Sequence, residues 1–580
     1  LLDGMLAKDR LLDMVRNFVL FDASKSDGMR KIVARNHQVL GVNRAVESAR
    51  RQELLKQEFP APARLLYRRA TTELAAFDLP LVADDPSADV AEAQASANAA
   101  GESETSRPTR IVELLLPERA HPDLGRLGVV WHTQGSGKSY SMAFFAEKVR
   151  RSIPGSFTFV IITDREDLDD QIWRTFVGCG IVDEKSPRAG SGRQLQALLQ
   201  ERHRYVFSLV HKFNQTVREP YSERDDIIVL SDEAHRTQAG KFARNMRMAL
   251  PNASFIGFTG TPLLKHDELT RRIFGNYVSR YDFGRSVQDN STVRLVYQNR
   301  GELLGISHQA LNADIYDAIE QADLDQDQTR LLERLLGKQY EVLTSDERLD
   351  KLADDFVPLC VERFETGKSM LVCVDKITCG RMYERIRPRW QRHLGQLRAE
   401  LAHQENASMM TDDADVRETL HRSINRLRRQ VAWMEETVIQ IIVSEAQNEV
   451  RDFKDWKVDI VPHRQRMKQG FELADGKTLA VDDAFKDPEH PFRVAIVCAM
   501  WLTGFEVESL ATLYLDKPMK AHTLMQGVAR ANRVYPGKDC GVIVDYYGML
   551  QSLKQALADY AAADEDGETG DGDGDDDGPD

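Results

Sequence analysis

The stretch Leu127-Gly-Val-Val-Trp-His-Thr-Gln-Gly-Ser-Gly-Lys-Ser139 leaves this chain few architectures to fold into. Leu127 to Trp131 is an apolar run of strand length. Gly135, Ser136 and Gly137 break it, Lys138 and Ser139 follow, and Met142, Phe145, Ala146 and Val149 then recur at helical spacing. Strand, glycine turn and helix in that order make a phosphate cradle. The glycines let backbone N–H groups approach the phosphates, and the helix N-terminus favours negative charge. Lys138 is placed to reach the β- and γ-phosphates of a nucleotide, and the Ser139 hydroxyl to hold Mg²⁺. The strict spacing has a further glycine five residues before Gly137, where this chain carries His132. Alone, the stretch could be a Gly/Ser turn beside an incidental lysine, so the rest of the chain has to decide.

A chain of 580 residues exceeds one hydrophobic core, and two to four domains are expected. No apolar run approaches the ~18 residues of a membrane span, so no membrane partner is expected. Six scattered cysteines (179, 360, 373, 379, 498, 540) without a CxxC pair argue against a zinc site or disulfide framework and suit a reducing cytoplasm. Leu1 opens inside a helical pattern, which suggests part of a longer chain. Of the net charge of −14, ten acidic residues lie in Asp564–Asp580 with no basic one. Such a balance excludes a globally basic DNA coat but not a nucleic-acid partner met by local Lys/Arg patches.

Residues 1–77 read as helical: Leu6, Leu11, Leu12, Val15, Phe18 and Val19 make one stripe, and a second run extends from Met29 to Ala70. Residues 78–110, rich in Ala, Ser, Asp and Glu, read as a flexible linker or insertion. From 111 to 285, strand and helix alternate, with strands at Leu127–Trp131, Phe157–Thr163, Tyr205–Val210, Ile227–Ser231 and Ser254–Thr259. Residues 286–355 read as a connecting region with a short β-like Val293–Tyr297. A second α/β pattern spans 356–561, with strands at Ser369–Val374, Val438–Val443, Phe492–Ala499, Ala511–Leu515 and Gly541–Asp545. A charged insertion at 380–437 has the spacing of a helical hairpin, and 562–580 reads as a disordered acidic tail. The expected fold class is α/β: two tandem parallel-sheet lobes, each covered by helices, with ligands at the strands' carboxyl ends.

Three further motifs fall at such ends. Asp232 and Glu233 follow the strand Asp226-Ile-Ile-Val-Leu230. Asp232 suits a water-mediated Mg²⁺ contact, and Glu233 suits orienting and deprotonating the attacking water. Alone, an acidic pair at a strand end is usually just solvated. Behind a phosphate loop in the same sheet it reads as its partner. Phe258-Thr-Gly-Thr-Pro262 ends the next strand, and the hydroxyls of Thr259 and Thr261 could sense the γ-phosphate. Gln526, Arg530 and Arg533 read as one face of a helix in the second α/β unit. Two guanidiniums aimed together suit a phosphoryl transition state, as an arginine finger does.

Together, Trp131–Ser139, Thr163-Asp-Arg165, Asp232-Glu-Ala-His235, Thr259-Gly-Thr-Pro262, Trp501-Leu-Thr-Gly-Phe505 and Gln526–Arg533 resemble a superfamily 2 helicase motor. More closely, they resemble the motor-bearing R subunit of type I restriction–modification enzymes, over about residues 1–560. His132, Met500–Phe505, Tyr514–Met519 and Gly541–Tyr546 are similar to that subunit's own pattern. The resemblance implies two RecA-like lobes with ATP and Mg²⁺ between them. The nucleotide-binding set it implies is Arg35 and Gln38 at the adenine, Gly135, Ser136, Gly137, Lys138 and Ser139 at the phosphates, and Gln526. It implies DNA contacts at Asp164, Arg165, His211 and Lys212, and coupling of DNA to ATP through His235, Thr259, Thr261, Thr503 and Gly504.

Its implied partners are double-stranded DNA and the modification (methyltransferase) and specificity subunits. Ala529, where superfamily 2 often has Gly, and Glu506-Val-Glu508 depart from the family's choices. The family's nuclease signature, Asp…(Glu/Gln)-x-Lys, is not found before Arg35, so the expectation is a translocating ATPase whose chain begins after the nuclease. Two other functions fit some of these residues. A superfamily 2 remodeller or repair helicase would lack the restriction partners. A nucleotide-gated DNA clamp would bind ATP without turnover.

Overall fold

The computed structural model describes residues 7–23, 28–75, 109–183, 185–213, 217, 219–232, 245–260, 268–301, 338–445, 449–473, 476–502, 505–519 and 521–549. The chain divides into two compact units. The first comprises Leu1–Trp131, Ser139–Thr259 and Asp267–Arg280; the second comprises His132–Lys138, Gly260–His266 and Tyr281–Asp580.

The first unit opens with helix α1 (Lys8–Asn17), an antiparallel pair β1 (Val19–Asp22) and β2 (Arg30–Val33), and helix α2 (Asn36–Glu58). A long antiparallel pair follows, β3 (Leu65–Ala75) with β4 (Thr109–Arg119). This corrects the all-helical reading of residues 1–77. The helical stripe breaks at Asn17, and Phe18 turns into the core while Leu11, Leu12 and Val15 stay exposed. Val19 and Leu20 pair with Val33 and Ile32, so their backbone groups bond across a strand pair instead of along a helix. The acidic part of the expected linker and the acidic tail lie outside the described residues.

Strands β5 (Arg126–His132), β6 (Thr158–Thr163), β7 (Tyr205–Leu209), β8 (Ile227–Asp232), β9 (Ser254–Thr259) and β10 (Tyr277–Tyr281) make a sheet of order β10-β5-β9-β8-β6-β7. The five strands β5 to β9 run parallel. Five of the six match the strands read from sequence; β10, short and half-buried, was not anticipated. Helices α3 (Lys138–Ser152), α4 (Glu166–Gly178) and α5 (Gly192–Gln200) alternate with the strands. Along α3, Met142 to Ala146 and Val149 are wholly buried against β5, β6, β8 and β9. Met142, Phe144, Phe145 and Val149 each contribute about 1.5–3 kcal/mol of burial, which is what holds α3 to the sheet.

The second unit has its own six-stranded sheet. Its elements are β11 (Arg294–Asn299), helix α6 (Asp346–Glu362), β12 (Lys368–Cys373), helices α7 (Lys376–Met410) and α8 (Ala414–Glu436), and β13 (Val438–Ile442). The small pair β14 (Phe471–Glu472) and β15 (Thr478–Leu479) then precedes β16 (Phe492–Val497), β17 (Leu510–Asp516), helix α9 (Ala521–Val528) and β18 (Cys540–Asp545). The order is β11-β18-β17-β12-β16-β13, all parallel. Both faces are buried, in strict alternation. Leu371, Ile441, Val494, Ile496 and Val544 pack under α6, α7 and α8, while Met370, Val372, Ile442, Val497 and Ile543 pack with Leu524 and Val528 of α9.

The charged insertion is a helical hairpin, α7 and α8, as its spacing predicted. Asp375 Oδ1 accepts from the Thr378 amide at 2.6 Å to start α7, and Trp390 Nε1 donates to the Met434 carbonyl at 3.1 Å to tie α7 to α8. Residues 294–299, read within a connecting region, are the edge strand β11. Two α/β units built on parallel six-stranded sheets are the tandem RecA-like arrangement. Among the described residues, no helix is long and apolar enough to cross a membrane.

Candidate nucleotide site

The register of the first sheet sets its predicted functional residues along one edge. Trp131 pairs with Thr259, Asp232 with Phe258, Ile162 with Ser231, and Thr163 with Leu209. Strands β5 to β9 therefore end level. The phosphate-loop segment, Asp164–Arg165, Val210–Phe213, Asp232 and Thr259 all emerge at that carboxyl edge, the edge at which parallel sheets take ligands.

The phosphate loop itself is closely specified. Gly135 (φ +92°) and Gly137 (φ +87°) adopt left-handed backbone that a side chain would strain. Between them, Ser136 bonds back to the Thr133 carbonyl through its hydroxyl at 2.6 Å and its amide at 3.2 Å. Thr133 N–H donates to the Tyr281 carbonyl at 2.8 Å. Lys138 is the first residue of α3, so the loop leads directly into a helix N-terminus, where backbone N–H groups favour negative charge. His132 is fully buried with its ring edge-to-face on Tyr281, centroids 5.9 Å apart. Imidazole here fills space that a glycine would leave empty. Gly260 has the opposite reason for its identity: a β-carbon there would lie 2.7 Å from Lys138 Nζ.

The Arg35–Gln38 element caps α2. Arg35 N–H donates to Gln38 Oε1 at 2.9 Å, and Gln38 Nε2 donates to Ser141 Oγ at 3.3 Å. Ser141 lies two residues beyond Ser139 in α3, so Gln38 is fixed directly to the phosphate-loop helix. Farther along α2, Gln52 accepts from Gly125 N–H at 2.7 Å and donates to the Asp123 and Arg126 carbonyls at 2.6 and 3.1 Å, where β5 begins. Asp22 accepts from the Tyr140 hydroxyl at 2.5 Å, and burial together with that carboxylate pushes the phenol's pKa up.

Gln526 lies in α9, but Arg530 and Arg533 lie beyond its end at Val528, the first in a turn and the second in the irregular chain after it, and this corrects their reading as one helical face. The Arg530 and Ala531 amides bond back three residues, to the Gly527 and Val528 carbonyls at 3.0 and 3.1 Å, so the helical ladder has already given way to tighter turns, and the Asn532 carbonyl beyond them accepts from Val293 N–H at 2.7 Å. The two arginines also have different tasks. Arg530 is nearly wholly buried and donates through Nε to the Leu502 carbonyl at 3.1 Å and through Nη1 to the Phe505 carbonyl at 2.8 Å. The Gln134 amide, oriented so that both its ends are satisfied, accepts from Arg530 Nη2 at 2.9 Å and donates to the Gln526 carbonyl at 3.2 Å.

Arg533 is the arginine at the loop glycine: a β-carbon on Gly135 would meet its Nε at 3.3 Å. Arg533 Nη2 pairs with Glu506 Oε1 at 2.5 Å. Partial removal from water opposes ionisation of Glu506, but Arg533, Arg530 and Lys138 outweigh it and hold its carboxyl below the ordinary glutamate range.

Residues 109–329 match the SWI2/SNF2 ATPase family, and residues 368–548 match type I restriction enzyme subunit R domain 3. The type I restriction enzyme HindI endonuclease subunit of Haemophilus influenzae is 32% identical over 97% of this chain and 44% of its own length. This chain is homologous to type I restriction endonuclease subunits. The SsaAORF53P endonuclease subunit of Staphylococcus saprophyticus is 25% identical over 74% of this chain and 43% of its own length. The chain thus spans less than half the length of these curated relatives.

In this R-subunit homologue the expected DNA positions are surface features of the first unit. Arg165 caps α4 and is exposed, His211 is exposed, and Lys212 Nζ donates to the Gly190 carbonyl at 2.9 Å. Asp164 is half-buried. Asp232 is buried at the end of β8 and Thr259 at the end of β9. Glu233, His235, Thr261, Thr503 and Gly504 lie outside the described residues. Gln134, Ser141, Gly260 and Tyr281 were missed from sequence. Gly260 and Gln134 sit inside motifs already recognised, whereas nothing local marks Ser141 or Tyr281.

Proposed function

We propose that this chain is an ATP-driven motor for double-stranded DNA, the translocating part of a type I restriction endonuclease subunit. It would work in the cytoplasm with modification and specificity subunits. One observation carries the reading: Lys138 and Arg533 converge on a single glycine loop at a helix N-terminus. Cations at that place suit the triphosphate of ATP and its transition state.

In this reading the loop amides and the start of α3 receive the phosphates, and Lys138 reaches the β- and γ-oxygens. Arg533 neutralises the charge that spreads over the equatorial oxygens as the γ-phosphoryl transfers to water. Glu233 orients and deprotonates that water. Ser139 and Asp232 offer hydroxyl and carboxylate oxygens, the hard donors that Mg²⁺ uses alongside phosphate and water, so the donor chemistry fits the ion. Bound there, Mg²⁺ would offset phosphate charge. Gln38, locked to Ser141, faces the adenine.

Arg530 supplies the link to DNA. Its bonds to the Leu502 and Phe505 carbonyls bracket Thr503 and Gly504, the positions implied to couple DNA to ATP, and its third nitrogen meets Gln134 of the phosphate loop. Movement of the loop on phosphate release is thereby passed to the segment 502–505. The test is phosphate release from ATP, with and without linear duplex DNA, alongside displacement of a third strand bound to that duplex. Wild type is expected to show both activities and Lys138→Ala neither. DNA-stimulated turnover retained in Lys138→Ala would refute the reading.

A further inference from the structure

Arg533 has a partner that the motor reading leaves without a task. Glu506 lies one residue past the Phe505 carbonyl that Arg530 grips, so its backbone is anchored, and its carboxylate meets Arg533 at 2.5 Å. The pair is asymmetric. The Arg533 side chain is 14% exposed and confined against Gly135, whereas the Glu506 side chain is 45% exposed. The carboxylate is therefore the partner able to swing into water at little cost, and the guanidinium is the one that stays. Glu506 also sits in the field of Arg530 and of Lys138, so one carboxylate faces both cations, Arg533 and Lys138, that the nucleotide reading assigns to phosphate.

We propose that Glu506 is an internal stand-in for phosphate, occupying Arg533 when the nucleotide is absent and yielding it to the triphosphate when ATP binds. The proposal rests on the nucleotide reading above and adds regulation to that site. Each time nucleotide leaves, the carboxylate retakes the arginine. Because Arg533 lies against Gly135 of the loop that receives the β-phosphate as well, Glu506 competes with the phosphates of ADP too, loosens their hold and favours product release. It is a positioning residue, acting on substrate only through Arg533.

The experiment is a titration of the 580-residue chain with a fluorescent ADP analogue, in wild type, Glu506→Gln, Arg533→Ala, the double variant and Lys138→Ala. Glu506→Gln is expected to tighten ADP about tenfold, the order of one charge-assisted guanidinium–phosphate contact freed from its carboxylate competitor. Glu506→Ala, which also removes the carboxylate, should shift the affinity in the same direction. The gain should shrink as salt rises and vanish in the double variant, which should bind like Arg533→Ala alone. In ATP turnover, KM should fall in Glu506→Gln.

Unchanged or weaker ADP binding in Glu506→Gln overturns the stand-in role, as does a gain that survives without Arg533. A kcat loss at constant KM would instead make Glu506 a fixed brace for Arg533, which also overturns it. The two readings fail separately. If Lys138→Ala binds ADP as wild type does, the nucleotide site itself is misassigned. If Lys138→Ala weakens binding while Glu506→Gln leaves it unmoved, only the stand-in falls.

Discussion

Gly260→Ala tests the geometry of the phosphate loop with a single methyl group. The backbone at Gly260 lies outside the left-handed region, so alanine is admissible there. The added carbon would sit 2.7 Å from Lys138 Nζ, with Gln134 Cβ and N at 3.6 and 3.7 Å in ordinary contact. Only the ammonium must move, and it must retreat by about 0.8 Å to reach a normal contact near 3.5 Å. Because the atom displaced is the free end of a flexible side chain, the fold should not register the change. Catalysis should, since a misplacement approaching 1 Å can cost up to about a hundredfold in rate. The expectation is an unchanged melting temperature with kcat/KM for ATP lowered ten- to hundredfold, between wild type and Lys138→Ala. Steady-state phosphate release beside a thermal melt measures both. Wild-type kcat/KM in a normally folded Gly260→Ala would show that Lys138 works from a place other than the one it occupies here.

His132→Gly, which restores the usual loop glycine, should destabilise rather than improve the chain, by about 2–4 kcal/mol, because a buried ring leaves a void against Tyr281 and glycine adds backbone entropy. Chemical denaturation checks the size, and a neutral result would refute the packing role. Lys368 is buried with its ammonium on the Ala484 carbonyl at 3.0 Å, and burial pulls its pKa from 10.5 down to about 7. Below pH 7 both folded and unfolded chains carry the charge and the burial penalty is felt in full; above pH 10.5 neither does. Stability should therefore rise between about pH 7 and 10, by at most about 1.4 kcal/mol per pH unit. Lys368→Met should flatten that rise in melts taken across the range.

The strands of both sheets, β10 apart, were legible because a sheet buried on both faces demands unbroken apolar runs, and few other structures do; β10 is short and half-buried and carries no such run. The pairs β1–β2 and β3–β4 were not, because Val19, Leu20, Ile32 and Val33 are also compatible with a helical stripe and only pairing across the chain settles the choice. The turn between β5 and α3 could be read because Gly135 and Gly137 carry a backbone requirement. The different contacts of Arg530 and Arg533 could not: three-residue spacing suggests a shared helical face, whereas the bonds back to the Gly527 and Val528 carbonyls turn the chain off the helix before Arg533. Glu506 appeared in the sequence as a mere departure. Its meaning lies in Arg533, twenty-seven residues later, and in Gly135, which no local pattern connects to it.

The edge strand β11 carries a consequence for synthesis. Its ladder partner is β18: Arg294 faces Cys540, and Tyr297 bonds through its hydroxyl to Asp545. A ribosome moving at about 5–20 residues per second would finish β18 roughly 10–50 seconds after β11. Through that interval β11 is a strand awaiting its neighbour, with Leu295, Val296 and Tyr297 open to wrong partners. Expression at lower temperature, or with a holdase present, should therefore favour soluble chain, and truncation before Cys540 should cost far more than the last strand.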